Sequence, residues 1–243
     1  MVMSPTLDSM SDNDQKIYAL TIVAHPDDES FVFAGTTLQF EEQGKTVAVI
    51  CATRGEKGKD RLGRDLNLKQ MAEIRTKELL QACSILRCDC KKIMDHADGE
   101  LEQVDFHQLV QELTNEINLL QPQIILTFGS EGISGHRDHV LIGKAAMEAC
   151  RKANPKPREI WLASIPASKA ENFSRSYGKR KIHHLHFIKN QIKGVADEKL
   201  MKVDVSKYKN EKLKAIQSHE SQYLAHLVWP PFLEHECFEV IKI

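Results

Sequence analysis

Apolar residues in this chain come in two arrangements that alternate. Short uncharged runs, "YALTIVA" (18–24), "TVAVICA" (46–52) and "QIILTF" (123–128), are rich in β-branched and aliphatic side chains. Such runs read as strands buried on both faces. Between them, apolar residues recur near the helical period. Residues 31–43 place Phe31, Ala34 and Leu38 ahead of Glu41 and Glu42 and stop at Gly44, which predicts a short helix with a glycine past its end. Residues 67–86 repeat Met71, Ile74, Leu79, Ala82, Cys83 and Leu86 on one side. Residues 105–120 carry the cleanest stripe, Phe106, Leu109, Val110, Leu113, Ile117 and Leu120, ended by Pro122. "KKIMD" (91–95) reads as a further short strand, and another helix runs to about Lys152.

Strand and helix alternate through the first 150 residues. That predicts an α/β fold, a doubly wound and mostly parallel sheet with helices on both faces. After Pro155 and Pro157 the pattern loosens. "EIWLAS" (159–164) reads as a strand, "SKAENFSRSYGKRK" (168–181) as an exposed loop or flap, and 182–188 and 201–205 as β-like runs. A last helix is expected over roughly 207–225, before a tail, "WPPFLEHECFEVIKI", whose packing the pattern does not specify. The expectation is one domain over 16–243 with a less regular C-terminal third, behind a flexible lead-in at 1–15.

Composition narrows the function classes. Thirty-three basic and 34 acidic residues leave a net charge of −1, which gives no electrostatic basis for capturing nucleic acid or an anionic membrane. No apolar run approaches the ~18 residues that span a bilayer, and "MVMSPTLDSMSDNDQ" has no signal-peptide character. The six cysteines are irregularly spaced, which favours reduced thiols in a cytoplasmic protein. Cys83, Cys88 and Cys90 form C-x4-C-x-C, but no second pair completes a metal site, so they read as core and surface thiols.

Two loops break the bland pattern. The first strand runs directly into "HPDDE" (25–29), and the fourth into "GSEGISGHRDH" (129–139). Ligands in open α/β sheets bind beyond the carboxyl ends of strands, where both loops sit. The first loop has none of the glycines that cradle a dinucleotide. Instead His25 and Asp28 are three apart, and His136 and His139 repeat the spacing. Residues three apart share a side of a helical turn. Histidine nitrogen and aspartate oxygen are zinc ligands, and a catalytic zinc uses three protein ligands. Asp27 would point elsewhere, free to act as a base. Helix capping accounts for one aspartate but not for two such pairs at strand ends.

"AHPDDE" (24–29), "ATRGE" (52–56), "DGEL" (98–101) and "GISGHRDH" (132–139) together resemble the PIG-L/LmbE-type zinc-dependent N-acetylglucosaminyl deacetylases, and "AIQSHESQ" (215–222) is similar to a further segment of that family. The resemblance covers most of the chain. It implies a Rossmann-like core and a hydrolase that removes the N-acetyl group from an N-acetylglucosamine-containing molecule or conjugate. It implies one zinc ion held by His25, Asp28 and His139, with Asp27 as general base. Protonated His136 would then stabilise the oxyanion and Asp138 would orient that imidazole.

Other residues are less sharply marked. Arg54 follows a strand into the same cleft and suits sugar hydroxyls or a carboxylate, or else pairs with Glu56. Asp98 would bind sugar hydroxyls or simply hold the turn before Gly99. Glu29 is expected to cap the helix, and His219 to sit at the site's rim or in helix packing. His184 and His186 share a solvated strand face, and Arg137 has no assigned role. Competing readings are an amidase for a bulkier amide, such as a thiol conjugate, and an inactive metal- or sugar-binding protein; a binder has no need of Asp27 as a base. The expected partner is a small amino-sugar molecule. Neither nucleic acid nor a membrane span is expected, and a homo-oligomer is left open.

Overall fold

The structure is a computed structural model that describes residues 16–178, 192–223 and 230–243. The expected lead-in, the 182–188 run and His184 and His186 lie outside the described residues. Seven strands form one sheet in the order β3-β2-β1-β4-β5-β7-β6. They are β1 (Ala19–Val23), β2 (Val47–Thr53), β3 (Asp89–His96), β4 (Ile124–Phe128), β5 (Glu159–Ala163), β6 (Leu200–Asp204) and β7 (His235–Lys242). The first five pair in parallel, and β7 runs antiparallel between β5 and β6. Every residue of β1, β2 and β4 is buried, as expected of strands covered on both faces.

The helices follow the apolar stripes. α3 (Leu68–Leu86) opens on a reciprocal capping box between Asn67 and Gln70. In α4 (Phe106–Leu120) Asp105 caps the Gln108 N–H, and the helix closes on left-handed Gln121 before Pro122. The helix expected over 31–43 is two pieces, α1 (Asp28–Val32) and α2 (Ala34–Glu42), broken at Phe33. After β4 come a single turn, α5 (Gly132–Gly135), and then α6 (Arg137–Lys152).

The C-terminal third departs from the sequence reading. The stretch expected as a flap is helical, α7 (Ala167–Gly178), with Ala170 and Phe173 buried at helical spacing. The last helix, α8 (Lys209–Ser218), stops well short of 225 because the chain turns His219 inward. The tail is β7. Its Glu236 is buried against Lys212 of α8 and accepts hydrogen bonds from the Gly35 and Thr36 N–H groups that open α2.

In this order the chain reverses direction between β1 and β4. The carboxyl ends of those two strands, where both odd loops emerge, form the topological switch point of the sheet.

Candidate metal and hydrolytic site

The loops after β1 and β4 bring their histidines together. His25 Nδ1 lies 3.2 Å from His139 Nε2, and Asp28 approaches both, at 3.6 Å from His25 Nδ1 and 3.1 Å from His139 Nε2. Ligands at ~2.0–2.1 Å around a tetrahedral zinc stand about 3.3–3.4 Å apart. The two Asp28 distances come from different oxygens of its carboxylate, and all three lie near that value, so the donor set suits one divalent ion.

The other face of each imidazole is committed. His139 Nδ1 is 3.0 Å from the Gly132 carbonyl, so it is the protonated nitrogen and Nε2 keeps its lone pair. The ring stacks on Phe128, with centroids 4.2 Å apart. Gly132 has φ +57, and a Cβ there would meet His139 Cβ at 2.7 Å. His25 Nε2 faces Asp138 at 3.1 Å and Asp98 at 3.2 Å. Two clusters of potential ligands share His25: one with His136 and His139, the other with Asp98 and Asp138. However, Asp138 is 1% exposed and accepts the Gly99 and Leu101 N–H groups, behind the cavity rather than on it. The Nδ1 side, which opens into the cavity, is therefore the one that fits an ion.

Charge supports the same reading. Burial disfavours protonated His25, yet Asp138, Asp28 and Asp98 outweigh it and raise its proton affinity well above the usual histidine value. Burial also opposes ionised Asp28, but His139 and His25 hold its carboxyl well below the usual range. The acids call for positive charge at this point, which a divalent ion supplies without protonating a ligand.

Asp27 behaves differently from its neighbour. Its backbone is at φ 121, a conformation that L side chains rarely adopt. The Glu29 carboxylate accepts its N–H at 2.9 Å, and Arg75 bonds to the Pro26 carbonyl and, at 3.0 Å, to the Asp27 carboxylate. Burial pushes the Asp27 carboxyl up to about 6 against the pull of Arg75. Strain held by several partners is typical of functional positions.

Arg75 carries no motif signal. It lies on the buried stripe of α3 between Met71 and Leu79, and a charge on an apolar stripe is the sign by which it can be found. It also bonds to the Gly55 carbonyl at 2.8 Å. Gly55 has φ +64, and a Cβ there would collide with the guanidinium.

Several expected roles change. The Asp138 carboxylate bonds to His25 at 3.1 Å, while its backbone N–H donates to His136 Nδ1 at 3.2 Å. That contact leaves the His136 proton on Nε2 in the neutral ring. Burial, with His25 and His139 close by, pushes His136 down to about 3, so the imidazolium expected there is disfavoured and a neutral N–H donor takes its place. Arg54 turns its fork onto Asp95, with Thr76 at 2.9 Å, and does not line the cavity. Asp98 lines the cavity beside His25 and takes the Lys57 N–H at 3.0 Å. Glu29 turns inward, accepting the Asp27 N–H and meeting His219 at 2.7 Å. Arg137 pairs with Glu102 at the surface.

The cavity over this site measures about 230 Å³. Asp27, Asp28, His25, His136 and His139 form its floor, Phe31, Phe173 and Phe232 one wall, and the loop of Lys57, Lys59 and Arg61 another. Among the described residues, no helix is long and apolar enough to cross a membrane. All six cysteines are free thiols.

Comparison with known proteins shows the family and the fold. A family model, PIG-L, described as GlcNAc-PI de-N-acetylase, matches residues 20–150. A probable N-acetyl-alpha-D-glucosaminyl L-malate deacetylase 2 from Bacillus anthracis is 28% identical over 85% of this chain and 81% of its own. The structure of N,N'-diacetylchitobiose deacetylase from Pyrococcus horikoshii superposes with a TM-score of 0.66 at 22% identity, covering 93% of this chain and 84% of that one. The 4-carboxy-2-hydroxymuconate hydratase of Pseudomonas putida KT2440 also reaches 0.66, at 16% identity, covering 93% and 97%. One fold thus hosts two chemistries, and the side chains at the switch point must decide between them.

Proposed function

The chain belongs to the PIG-L family, and from that premise we propose that it is a zinc-dependent hydrolase that removes the acetyl group from an N-acetylglucosamine conjugate. The observation that carries the proposal is the pairing of a complete three-ligand set with a separate, strained carboxylate. His25, Asp28 and His139 have ligand spacing, while Asp27 stands beside them, bonded to Arg75. When bound, zinc polarises the acetamide carbonyl and acidifies the attacking water.

The chain's own groups account for the remaining steps. Asp27 accepts the water's proton as the water oxygen bonds to the carbonyl carbon. Arg75 keeps enough positive charge beside Asp27 for its ionised form to persist near neutral pH. The Nε2–H of neutral His136 donates to the oxygen on which negative charge gathers. Asp138 and Asp98 fix the tautomer and tilt of His25. Asp27 then returns its proton to the sugar nitrogen as the C–N bond breaks, giving acetate and a free amino sugar.

The decisive experiment measures metal content by mass spectrometry and acetate release from a panel of N-acetylglucosamine conjugates. One equivalent of zinc with stoichiometric acetate and free amine is expected. Acetate release that persists in chelated, metal-free protein overturns the proposal.

A further inference from the structure

The wall of the cavity opposite its aromatic face is cationic, and its charges are unequally satisfied. The Lys57 ammonium pairs with Glu100, and Asp60 is fully engaged by Arg64 through two side-chain contacts and the Arg64 N–H. Glu56 accepts the Asp98 N–H. The three carboxylates on the cavity floor face imidazoles or Arg75. Arg61 is left over. Its Nε is buried without a hydrogen-bond partner, and no carboxylate pairs with it among the described residues.

This arginine is held in place. Its N–H donates to the Ser221 carbonyl at 2.8 Å, and Ser221 is clamped by two 2.7 Å bonds to buried Glu78. Gln222 reaches the Lys59 carbonyl from the same segment. The "SHESQ" stretch thus fixes the loop at the cavity mouth, and it fixes a guanidinium there whose nitrogen has lost water and gained nothing. A buried, unpaired donor of this kind is costly. An oxyanion is the ligand that removes the cost, and a guanidinium fork suits carboxylate or phosphate oxygens.

We infer that Arg61 is a specificity-determining residue that binds an anionic group on the part of the substrate beyond the sugar. The inference rests on the deacetylase reading above. The acetamide end goes to the floor with Asp27 and the histidines, the sugar crosses the cavity, and a carboxylate or phosphate on its far side meets Arg61.

The test uses the zinc-loaded protein and two matched pairs of N-acetylglucosamine glycosides. One pair is the malate conjugate and its neutral dimethyl ester; the other is an inositol phosphate conjugate and its unphosphorylated counterpart. The anionic member of at least one pair should be preferred roughly 10- to 100-fold in kcat/KM, the range of a charged hydrogen bond. Which pair shows the preference identifies carboxylate or phosphate. Arg61→Gln should bring that ratio toward unity through KM, and Arg61→Lys should keep part of it. Should Arg61→Gln not fold, the wild-type preference must still shrink as ionic strength rises from about 0.02 to 0.5 M. No preference in either pair, or one that Arg61→Gln and salt leave untouched, overturns the inference while the deacetylase reading stands. If no conjugate releases acetate, that reading falls, and calorimetric binding of the same pairs to wild type and Arg61→Gln decides the role of Arg61 alone.

Discussion

The loops that follow β1 and β2 are neighbours in the sheet but opposites in construction. After β1, His25, Asp28 and Glu29 are buried, Asp27 is strained, and each carboxylate meets a cation or an N–H. After β2 the chain is exposed and cationic, pinned at Asp60–Arg64 and at Ser221 and Gln222. Groups that move protons need fixed positions and low dielectric, which dense partners supply. Groups that read a variable part of a substrate need only a few anchors, and the residues between them can change without disturbing the chemistry. On the proposed reading, reaction and recognition are thereby separated on adjacent strand ends.

If this division holds, substitutions in the first loop have the largest effects. Asp28→Asn replaces an anionic ligand by a neutral amide, and metal and turnover should both fall to the background of metal-free protein. Bound zinc in the dialysed variant checks this. A full equivalent retained would remove Asp28 from the ligand set.

Asp27→Asn separates the two aspartates. It still offers an oxygen to Arg75 but no basicity, so it should keep its zinc while kcat falls by ~10²–10⁴. The pH dependence carries the same signature. With the Asp27 carboxyl raised to about 6, the base is protonated and kcat/KM is lost below that pH. The stability sign runs the other way. In metal-free protein the contribution from Asp27 is complete below its unfolded value of ~4 and is lost as pH rises through the folded value.

Asp138→Asn tests the role the structure substitutes for the expected one. As the partner of His25 it should cost about 10- to 100-fold in metal affinity. As a partner of His136 it would lower kcat and leave metal affinity unchanged. The smallest effect is expected in the second loop. Arg54→Lys, directed at Asp95 and Thr76, should alter stability within about 0.5 kcal/mol and leave kcat/KM unchanged. A drop in kcat/KM would return Arg54 to the cavity.

The parallel half and the approach of Asp28 to His25 were readable because both depend on local order. Uninterrupted apolar runs mark strands buried twice, and a three-residue spacing marks side chains that converge. What escaped depends on distant partners. Arg54 was directed at substrate because nothing local shows that β3 brings Asp95 alongside it. Asp138 was given to its sequence neighbour, although the turn before Leu101 and the end of β1 claim its carboxylate. α7 was read as a flap for its polarity, although Ala170 and Phe173 already carried a buried face. β7 stayed hidden because a buried position in it is the charged Glu236, which makes sense only beside Lys212.

That last strand has a consequence for how the protein is made. Among the described residues β6 pairs in the sheet with β7 alone, and the N–H groups that open α2 rely on Glu236. A ribosome releases the parallel half long before it releases β7. α2 therefore waits for a strand made about 200 residues later to supply the acceptor for its first N–H groups, so the order of synthesis is the reverse of the order of dependence. A chain halted before His235 would display α2 without the carboxylate that accepts its first N–H groups.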